Sequence, residues 1–222
     1  MNEPAVSILI VTFNAPRHIL RLFRSLRRTS GVAYEVVVVD NRSKAPTRCL
    51  LHQLSWRRAI NILTLLDHNT LFAGGVNTAL RVSSPGSRHV LLLNPDIEIR
   101  DPSWLRRLLD VHERGATSLG FVEGGPWPRA DGYCFLIDRD LFEGLSPDFH
   151  WWWGVTKLQA DLLRAGHAVQ AIRNHDGIIT HAGGGSGAPP RHAKGMQTDD
   201  ATIRAWFDGH RVGVIERLEV GR

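Results

Sequence analysis

The sequence predicts a single α/β domain whose central sheet is mostly parallel and flanked by helices. Two observations carry this prediction. Short aliphatic, β-branched runs alternate with stretches of helical periodicity through the first half of the 222 residues, and neither an internal repeat nor a long linker divides the chain. Such alternation is typical of parallel βαβ units in a Rossmann-like sheet. We assign residues 1–195 to this domain and residues 196–222 to a helical tail packed on it.

The elements of the first half follow one another regularly. Strands are predicted over residues 6–11, 35–40, 60–65 and 89–93, and the first two are apolar enough for burial on both faces. Between them, helices are predicted from Pro16 onwards, over 47–54 and over 73–82. Proline at a helix start fits because its fixed φ suits the first turn and its missing N–H is not needed there.

The second half is less regular. A helix is predicted over residues 103–114, with Ser103 as its N-cap and Gly115 at its end, and another over 152–165 ending at Gly166. Strands are predicted over residues 133–137 and 178–181. Residues 199–218 are predicted to be partly helical.

Composition narrows the function classes. The chain has 27 basic and 22 acidic residues, a net charge of +5 and 43% hydrophobic residues. This balance suits a globular protein with an anionic ligand, and no zinc-finger or RNP-type motif points to nucleic acid. The apolar runs are too short to cross a bilayer and the first residues do not resemble a secretory signal, so we expect a cytoplasmic protein.

Small polar and acidic residues follow each of the first four predicted strands. In an open α/β sheet the ligand binds beyond the carboxyl ends of the strands, so a series of four favours a ligand site over isolated turns or caps. Asp40 is suited to accept hydrogen bonds from a base or ribose, and Asp96 is a hard oxygen ligand for Mg²⁺ or Mn²⁺. Neither a P-loop nor a G-x-G-x-x-G fingerprint is present.

Four motifs in order and at consistent spacing carry a family resemblance. They are SILIVTFN at residues 7–14, VVVDNRS at 37–43, NTLFAGGVN at 69–77 and LLLNPD at 91–96, with weaker matches at 132–139 and 181–186. Over roughly residues 5–190 the chain resembles family 2 glycosyltransferases of GT-A fold, and in particular their rhamnosyltransferase-like branch.

The resemblance implies metal-dependent, inverting transfer of a hexose from a nucleotide-diphosphate sugar to a saccharide or lipid-linked acceptor, in bacterial cell-surface polysaccharide synthesis. It places Asp96 on Mg²⁺ or Mn²⁺ at the donor diphosphate, with His181 as a second contact to metal or diphosphate. The residues expected to bind or surround the donor are Thr12, Phe13, Asn14, Asp40, Asn41, Ser43, Asn69, Gly74, Gly75, Asn77, Asn94 and Asp96.

One expected motif is replaced. The family's catalytic base lies in an E-D-x-D stretch after an aromatic run, and here those four positions read Gly-Val-Thr-Lys at residues 154–157. Three other residues are candidates for the base: Asp148, His150 and Asp161. The alternative function is a catalytically silent nucleotide-sugar-binding protein or the partner subunit of an active transferase.

The aromatic run itself, three tryptophans at residues 151–153, is suited to stack on a sugar ring. We predict that Trp152 and Trp153 bind the acceptor. Peripheral contact with the inner face of a membrane, a homodimer and a transferase partner all stay open from the sequence.

Overall fold

A computed structural model describes residues 3–149, 152–183 and 198–218. The strands are β1 (Val6–Thr12), β2 (Tyr34–Asp40), β3 (Ile62–Leu65), β4 (His89–Leu93), β5 (Ile97–Ile99), β6 (Gly115–Ser118), β7 (Phe121–Val122), β8 (Arg129–Ala130), β9 (Cys134–Asp138), β10 (Ala168–Asn174), β11 (Ile179–His181) and β12 (Gly213–Arg217). The helices are α1 (Pro16–Leu26), α2 (Ala45–Trp56), α3 (Leu71–Val82), α4 (Trp104–Asp110), α5 (Trp152–Arg164) and α6 (Asp200–Phe207), with a short 3₁₀ turn at Arg139–Leu141.

The central sheet has eight strands in the order β12-β10-β6-β9-β4-β1-β2-β3. Strand β9 runs antiparallel to both its neighbours, β4 and β6, and the other pairings are parallel. The prediction of a mostly parallel sheet flanked by helices in a single domain is therefore confirmed. Two small antiparallel pairs, β5 with β11 and β7 with β8, lie outside this sheet.

Helices cover both faces of the sheet, and this explains why the middle of β1, residues 8–11, is apolar on both faces. Ile8 and Ile10 belong to a core cluster that also holds apolar residues of α1, α2 and α4. Leu9 belongs to a second cluster with apolar residues of α3, α5 and α6. Because neighbouring residues of a strand point to opposite faces, a strand between two helical layers needs apolar residues on both.

The segment around α4 differs from the prediction. The helix ends at Asp110 rather than near residue 114. Ser103 is the N-cap residue, as predicted, but its side chain accepts no cap hydrogen bond. Its N–H and hydroxyl both donate to Asp101 Oδ1, at 2.9 and 2.8 Å. Gly115 begins β6 with φ 140°, and a Cβ there would overlap the carbonyl oxygen of Ala168. This glycine thus serves strand packing rather than helix termination.

The predicted tail contains a strand as well as a helix. In α6, the side chains of Ile203, Trp206 and Phe207 are buried in the second core cluster. Strand β12 then pairs with β10 at the edge of the sheet. The boundary at residue 195 stays a prediction. Among residues 3–149, 152–183 and 198–218, no helix combines the length and hydrophobicity needed to span a membrane.

Candidate functional site

A cavity of about 280 Å³ opens beside the carboxyl ends of β1 and β4. The residues lining it include Asn94, Asp96, Asp131, Trp152, Val155 and His181. It therefore lies where an open α/β sheet binds its ligand, and it includes two of the predicted donor-binding residues.

Asp96 and His181 meet inside this cavity although 85 residues separate them in the chain. The β5–β11 pairing sets His181 opposite Ile97, and the Ala182 N–H donates to the Asp96 carbonyl oxygen at 3.1 Å. The His181 Nε2 atom then lies 3.3 Å from Asp96 Oδ2. The Asp96 side chain is 2% exposed and that of His181 25% exposed, so the pair faces the ligand space from a largely buried position.

His181 is supported by an aromatic residue and a second histidine. The ring of Tyr133 stacks on His181 with centroids 4.2 Å apart. The Tyr133 hydroxyl donates to the Leu119 carbonyl at 2.6 Å and lies 2.9 Å from His175 Nε2, so the single hydroxyl proton is used and His175 is the donor to Tyr133. Burial raises the pKa of Tyr133 and lowers the pKa of His175. Both shifts favour the uncharged forms, so Tyr133, which His175 contacts, packs on His181 without adding a competing charge.

Thr12 and Asp40 lie side by side at the ends of β1 and β2, as register partners. Both side chains are buried, and among the described residues Thr12 Oγ1 and Asp40 Oδ1 have no hydrogen-bond partner. The other carboxylate oxygen of Asp40 accepts the Ser43 N–H at 3.0 Å and lies 3.8 Å from Arg48 Nε. Buried polar atoms without a partner are uncommon and costly, so this pair marks a position suited to a ligand.

The loops after β1 and β2 are joined by Asn14 and Ser43. The Asn14 N–H donates to Ser43 Oγ at 2.8 Å, and Asn14 Oδ1 accepts the Lys44 N–H at 2.8 Å. Asn14 has φ 52°, a left-handed conformation that asparagine tolerates better than most residues. Both side chains therefore shape the edge of the site, while Phe13 is half-buried outside the lining of the cavity.

Asn41 and Asn69 brace the start of α3. Asn41 donates to the Leu71 carbonyl at 2.8 Å and accepts from the Thr70 N–H and hydroxyl, while Asn69 Oδ1 accepts the Leu71 N–H at 2.8 Å. Leu71 has φ 60°, which is strained for a bulky residue. The next residue, Phe72, lines the cavity. These amides thus fix the backbone that presents Phe72.

The remaining motif residues of α3 serve close packing. A Cβ at Gly75 would lie 2.6 Å from Val11 Cγ1, so glycine lets the helix approach β1. A Cβ at Gly74 would lie 2.6 Å from Thr70 Cβ. Asn77 uses both ends of its amide on the backbone of Leu145, at 2.7 and 2.8 Å.

The cavity wall has an aliphatic residue where the family resemblance expects carboxylates. Val155 of α5 lines the cavity and is 1% exposed. Asp161 lies on another side of α5, with its side chain 46% exposed and 2.5 Å from Lys157 Nζ. Asp148 is exposed, and neither aspartate lines the cavity. The third candidate base, His150, lies outside the described residues.

The two predicted acceptor tryptophans have different surroundings. Trp152 is 43% exposed and lines the cavity. Trp153 packs against the second core cluster, with the Arg129 guanidinium 5.6 Å from its ring centroid. The structure thus brings Trp152 to the site and gives Trp153 a packing position.

Sequence reasoning missed Asp131, which lines the cavity and is half-buried. It follows β8, a two-residue strand too short to show a period, and precedes the weaker motif match at residues 132–139. The available signal is an aspartate two residues before the strand predicted from Tyr133, whereas the strand-end argument covers only the first four strands.

The sequence model of glycosyl transferase family 2 matches residues 7–128, more than half of the chain. No curated protein sequence matches the chain.

Two solved structures share the fold. The mannosyltransferase PcManGT from Pyrobaculum calidifontis, solved in complex with GDP-Man and Mn²⁺, is 21% identical with a TM-score of 0.64, over 82% of this chain and 58% of that protein. S. aureus TarS 1–349 is 18% identical with a TM-score of 0.56, over 70% of this chain and 55% of TarS 1–349, and it is also known in complex with UDP. The chain thus spans less than two thirds of the length of either structure, and these likenesses concern the fold.

Proposed function

The chain belongs to glycosyl transferase family 2, and from this premise we propose that it is a metal-dependent, inverting glycosyltransferase. It moves a hexose from a nucleotide-diphosphate sugar to a saccharide or lipid-linked acceptor. The assignment to cell-surface polysaccharide synthesis in the cytoplasm rests on the sequence resemblance to the rhamnosyltransferase-like branch. That resemblance leaves dTDP-, UDP- and GDP-linked donors as candidates.

The observation that carries the proposal is the Asp96–His181 pair. A carboxylate oxygen and an imidazole nitrogen 3.3 Å apart fit two neighbouring ligands of one divalent ion, since each lies about 2.1 Å from the metal in such sites. The diphosphate oxygens of a donor would complete the coordination. A metal held by Asp96 and His181 would supply a Lewis acid to neutralise charge on the departing nucleoside diphosphate. The structure of PcManGT contains GDP-Man and Mn²⁺, which supports a nucleotide sugar together with a divalent metal.

Thr12 and Asp40 are proposed to bind the nucleoside. Their oxygens Oγ1 and Oδ1 lack partners among the described residues, and a ribose or base supplies the complementary groups. Trp152 is proposed to stack on the acceptor sugar, since it is exposed and lines the cavity that contains Asp96 and His181.

The test is calorimetric titration with UDP, GDP and dTDP, each with and without Mn²⁺. One nucleotide is expected to bind in a Mn²⁺-dependent manner, and Asp96→Ala is expected to abolish the metal dependence. Asp110→Ala is the matched control, because Asp110 is an exposed carboxylate on α4 outside the cavity. Absence of binding to all three nucleotides in the unmodified protein would end the proposal.

A catalytically silent nucleotide-sugar-binding protein, or the partner subunit of an active transferase, is the second candidate. The presence of Val155 in the cavity wall favours it, because an aliphatic side chain cannot remove the acceptor proton. Nucleotide binding without release of nucleoside diphosphate from any nucleotide sugar would support this alternative over the enzyme.

A further inference from the structure

We propose that Asp131 is the catalytic base that deprotonates the acceptor hydroxyl, in place of the missing carboxylates on α5. This inference rests on the proposed glycosyltransferase function and deepens it. Asp131 comes from a different element, the connection between β8 and β9, and lines the same cavity as Asp96 and His181.

The backbone next to Asp131 lies against the residue that replaces the expected carboxylates. A Cβ built on Gly132 would lie 3.1 Å from Val155 Cγ2 and 3.3 Å from Val155 Cβ. Gly132 therefore lets the β8–β9 connection pack closely on α5 at Val155. Asp131 precedes Gly132 in the chain and lines the same cavity as Val155.

The Asp131 main chain is fixed while its side chain is available. The Asp131 N–H donates to the Gly120 carbonyl at 2.8 Å, and its carbonyl accepts the Ser118 hydroxyl at 2.5 Å. Within residues 3–149, 152–183 and 198–218, no hydrogen bond or ion pair involves its carboxylate. By contrast, the carboxylate of Asp161 is occupied by Lys157. A base needs a fixed backbone and a free oxygen to accept the proton.

Asp131 also lies at the boundary between two cavities. A second cavity of about 140 Å³ shares Asp131, Gly132 and Trp152 with the first. It includes none of the predicted donor-binding residues, and it adds the polar side chains of Arg129 and Thr156. We assign the first cavity to the donor and the second to the acceptor, so that the acceptor hydroxyl meets the donor at Asp131.

The chemical step balances with these groups. The acceptor hydroxyl oxygen forms a bond to the anomeric carbon of the donor. The bond between that carbon and the diphosphate oxygen breaks, and its electron pair stays on the nucleoside diphosphate. The hydroxyl proton passes to the Asp131 carboxylate and is later released to water. The anomeric configuration inverts because attack and departure occur on opposite faces.

The experiment measures nucleotide binding and turnover separately. Calorimetry with UDP, GDP and dTDP in Mn²⁺ measures the donor site. Turnover is the release of the nucleoside diphosphate from UDP-glucose, GDP-mannose and dTDP-rhamnose, with methyl glycosides of glucose, galactose and rhamnose as acceptors. Asp131→Asn is expected to slow release by about 10² to 10⁴-fold, the usual contribution of a general base, while nucleotide affinity stays within about threefold.

Two further variants test the assignment. Asp131→Glu keeps a carboxylate and is expected to retain at least about a tenth of the activity. The double variant Asp131→Asn/Val155→Asp is expected to turn over at least about tenfold faster than Asp131→Asn, because it returns a carboxylate to the same cavity. Asp110→Asn, on the exposed side of α4, is the control for loss of an unrelated carboxylate.

The outcomes separate the two proposals. Failure of the unmodified protein to bind any nucleotide overturns the proposed function itself. Nucleotide binding with no turnover overturns the assignment of a base and supports the silent binder. Full turnover in Asp131→Asn, or loss of turnover in Asp148→Asn or Asp161→Asn instead, overturns Asp131 alone. A parallel loss of nucleotide affinity in Asp131→Asn and Asp131→Glu also contradicts a role confined to the base.

Discussion

The two ends of the β1–β2 pair differ in whether their buried polar groups are hydrogen-bonded. Where the strands begin, the register partners Ser7 and Glu35 are hydrogen-bonded to each other at 2.5 Å. Where the strands end, the register partners Thr12 and Asp40 each keep an oxygen without a hydrogen-bond partner among the described residues. The first end is a closed network that stabilises the fold. The second has unused hydrogen-bonding capacity, which a ligand can satisfy.

The closed end extends across the sheet. Glu35 Oε1 also accepts the Ser84 N–H at 2.6 Å, and Ser7 Oγ lies 2.7 Å from Ser87 Oγ. Arg139, after β9, donates to Ser7 and Ser87 at 3.1 and 2.9 Å. Polar networks in which every group is hydrogen-bonded specify a unique arrangement of side chains. Removal of one member leaves the remaining buried polar groups without partners, which is costly.

The largest expected effect is on stability at the closed end. Glu35→Ala removes a charged acceptor of two hydrogen bonds, each worth about 1.5 to 3 kcal/mol. We expect the free energy of unfolding to fall by about 3 kcal/mol in urea titration at pH 7, with nucleotide affinity unchanged. A variant that kept its stability but lost nucleotide binding would reverse the contrast between the two ends.

The next effect is on nucleotide binding, at the end of the β1–β2 pair that holds Thr12 and Asp40. Asp40→Asn keeps the shape of the side chain but removes the charge, and a hydrogen bond to a charged group contributes about 1.5 to 3 kcal/mol. We expect the calorimetric affinity for the preferred nucleotide to fall about 10- to 100-fold. The unfolding free energy is expected to change by less than about 1 kcal/mol. A loss of stability as large as that of Glu35→Ala would make Asp40 a structural residue.

The strands that position this site are recognisable from the sequence, because buried parallel strands show as apolar runs. The roles of the polar residues at their ends stay predictions. The structure then gave Asn41 and Asn77 backbone contacts instead of open positions. Strand β5 was not predicted because three residues are too short to show a period. Its pairing with β11, which aligns Asp96 with His181, depends on chain segments about 80 residues apart.

The proposed base also depends on contacts between distant parts of the chain. The sequence offers Asp148, His150 and Asp161 as candidates because they lie near the expected motif along the chain. Proximity of Asp131 to Val155 arises only when the β8–β9 connection packs on α5, and Gly132 permits it. Long-range packing of this kind leaves no periodic trace in the sequence.

A pair of single-atom changes sharpens the comparison further. Ser7→Ala removes a hydroxyl that has partners, and is expected to lower the unfolding free energy by about 1 kcal/mol. Thr12→Val removes a buried hydroxyl that has none among the described residues, and is expected to raise it by up to about 1 kcal/mol. In calorimetry, Thr12→Val should weaken nucleotide binding about five- to tenfold, whereas Ser7→Ala leaves it unchanged. If Ser7→Ala and Thr12→Val changed the unfolding free energy in the same direction, the contrast between the two hydroxyls would be contradicted.

The smallest expected effect concerns the stability contributed by a buried histidine, His112. His112 is 6% exposed, and its Nε2 lies 3.5 Å from Asp138 Oδ2 while its Nδ1 lies 2.9 Å from Thr117 Oγ1. Burial lowers the pKa of His112 from its ordinary value of 6.5, and the nearby His89 also lowers it. Asp138 and Glu113 raise this pKa, but by less than burial and His89 lower it. The folded protein therefore favours the neutral ring.

The pH dependence follows from that sign. Below pH 6.5 the unfolded chain takes up a proton at His112 before the folded protein does, so protonation favours unfolding. His112 thus contributes to stability above pH 6.5, and this contribution is lost as the pH falls below that value. The urea midpoint is expected to drop between pH 7.5 and 5.5, and His112→Gln is expected to reduce the drop. His52→Gln, at an exposed position on α2, is the control. If the drop in His112→Gln were as large as in the unmodified protein, the acid sensitivity would belong to other groups.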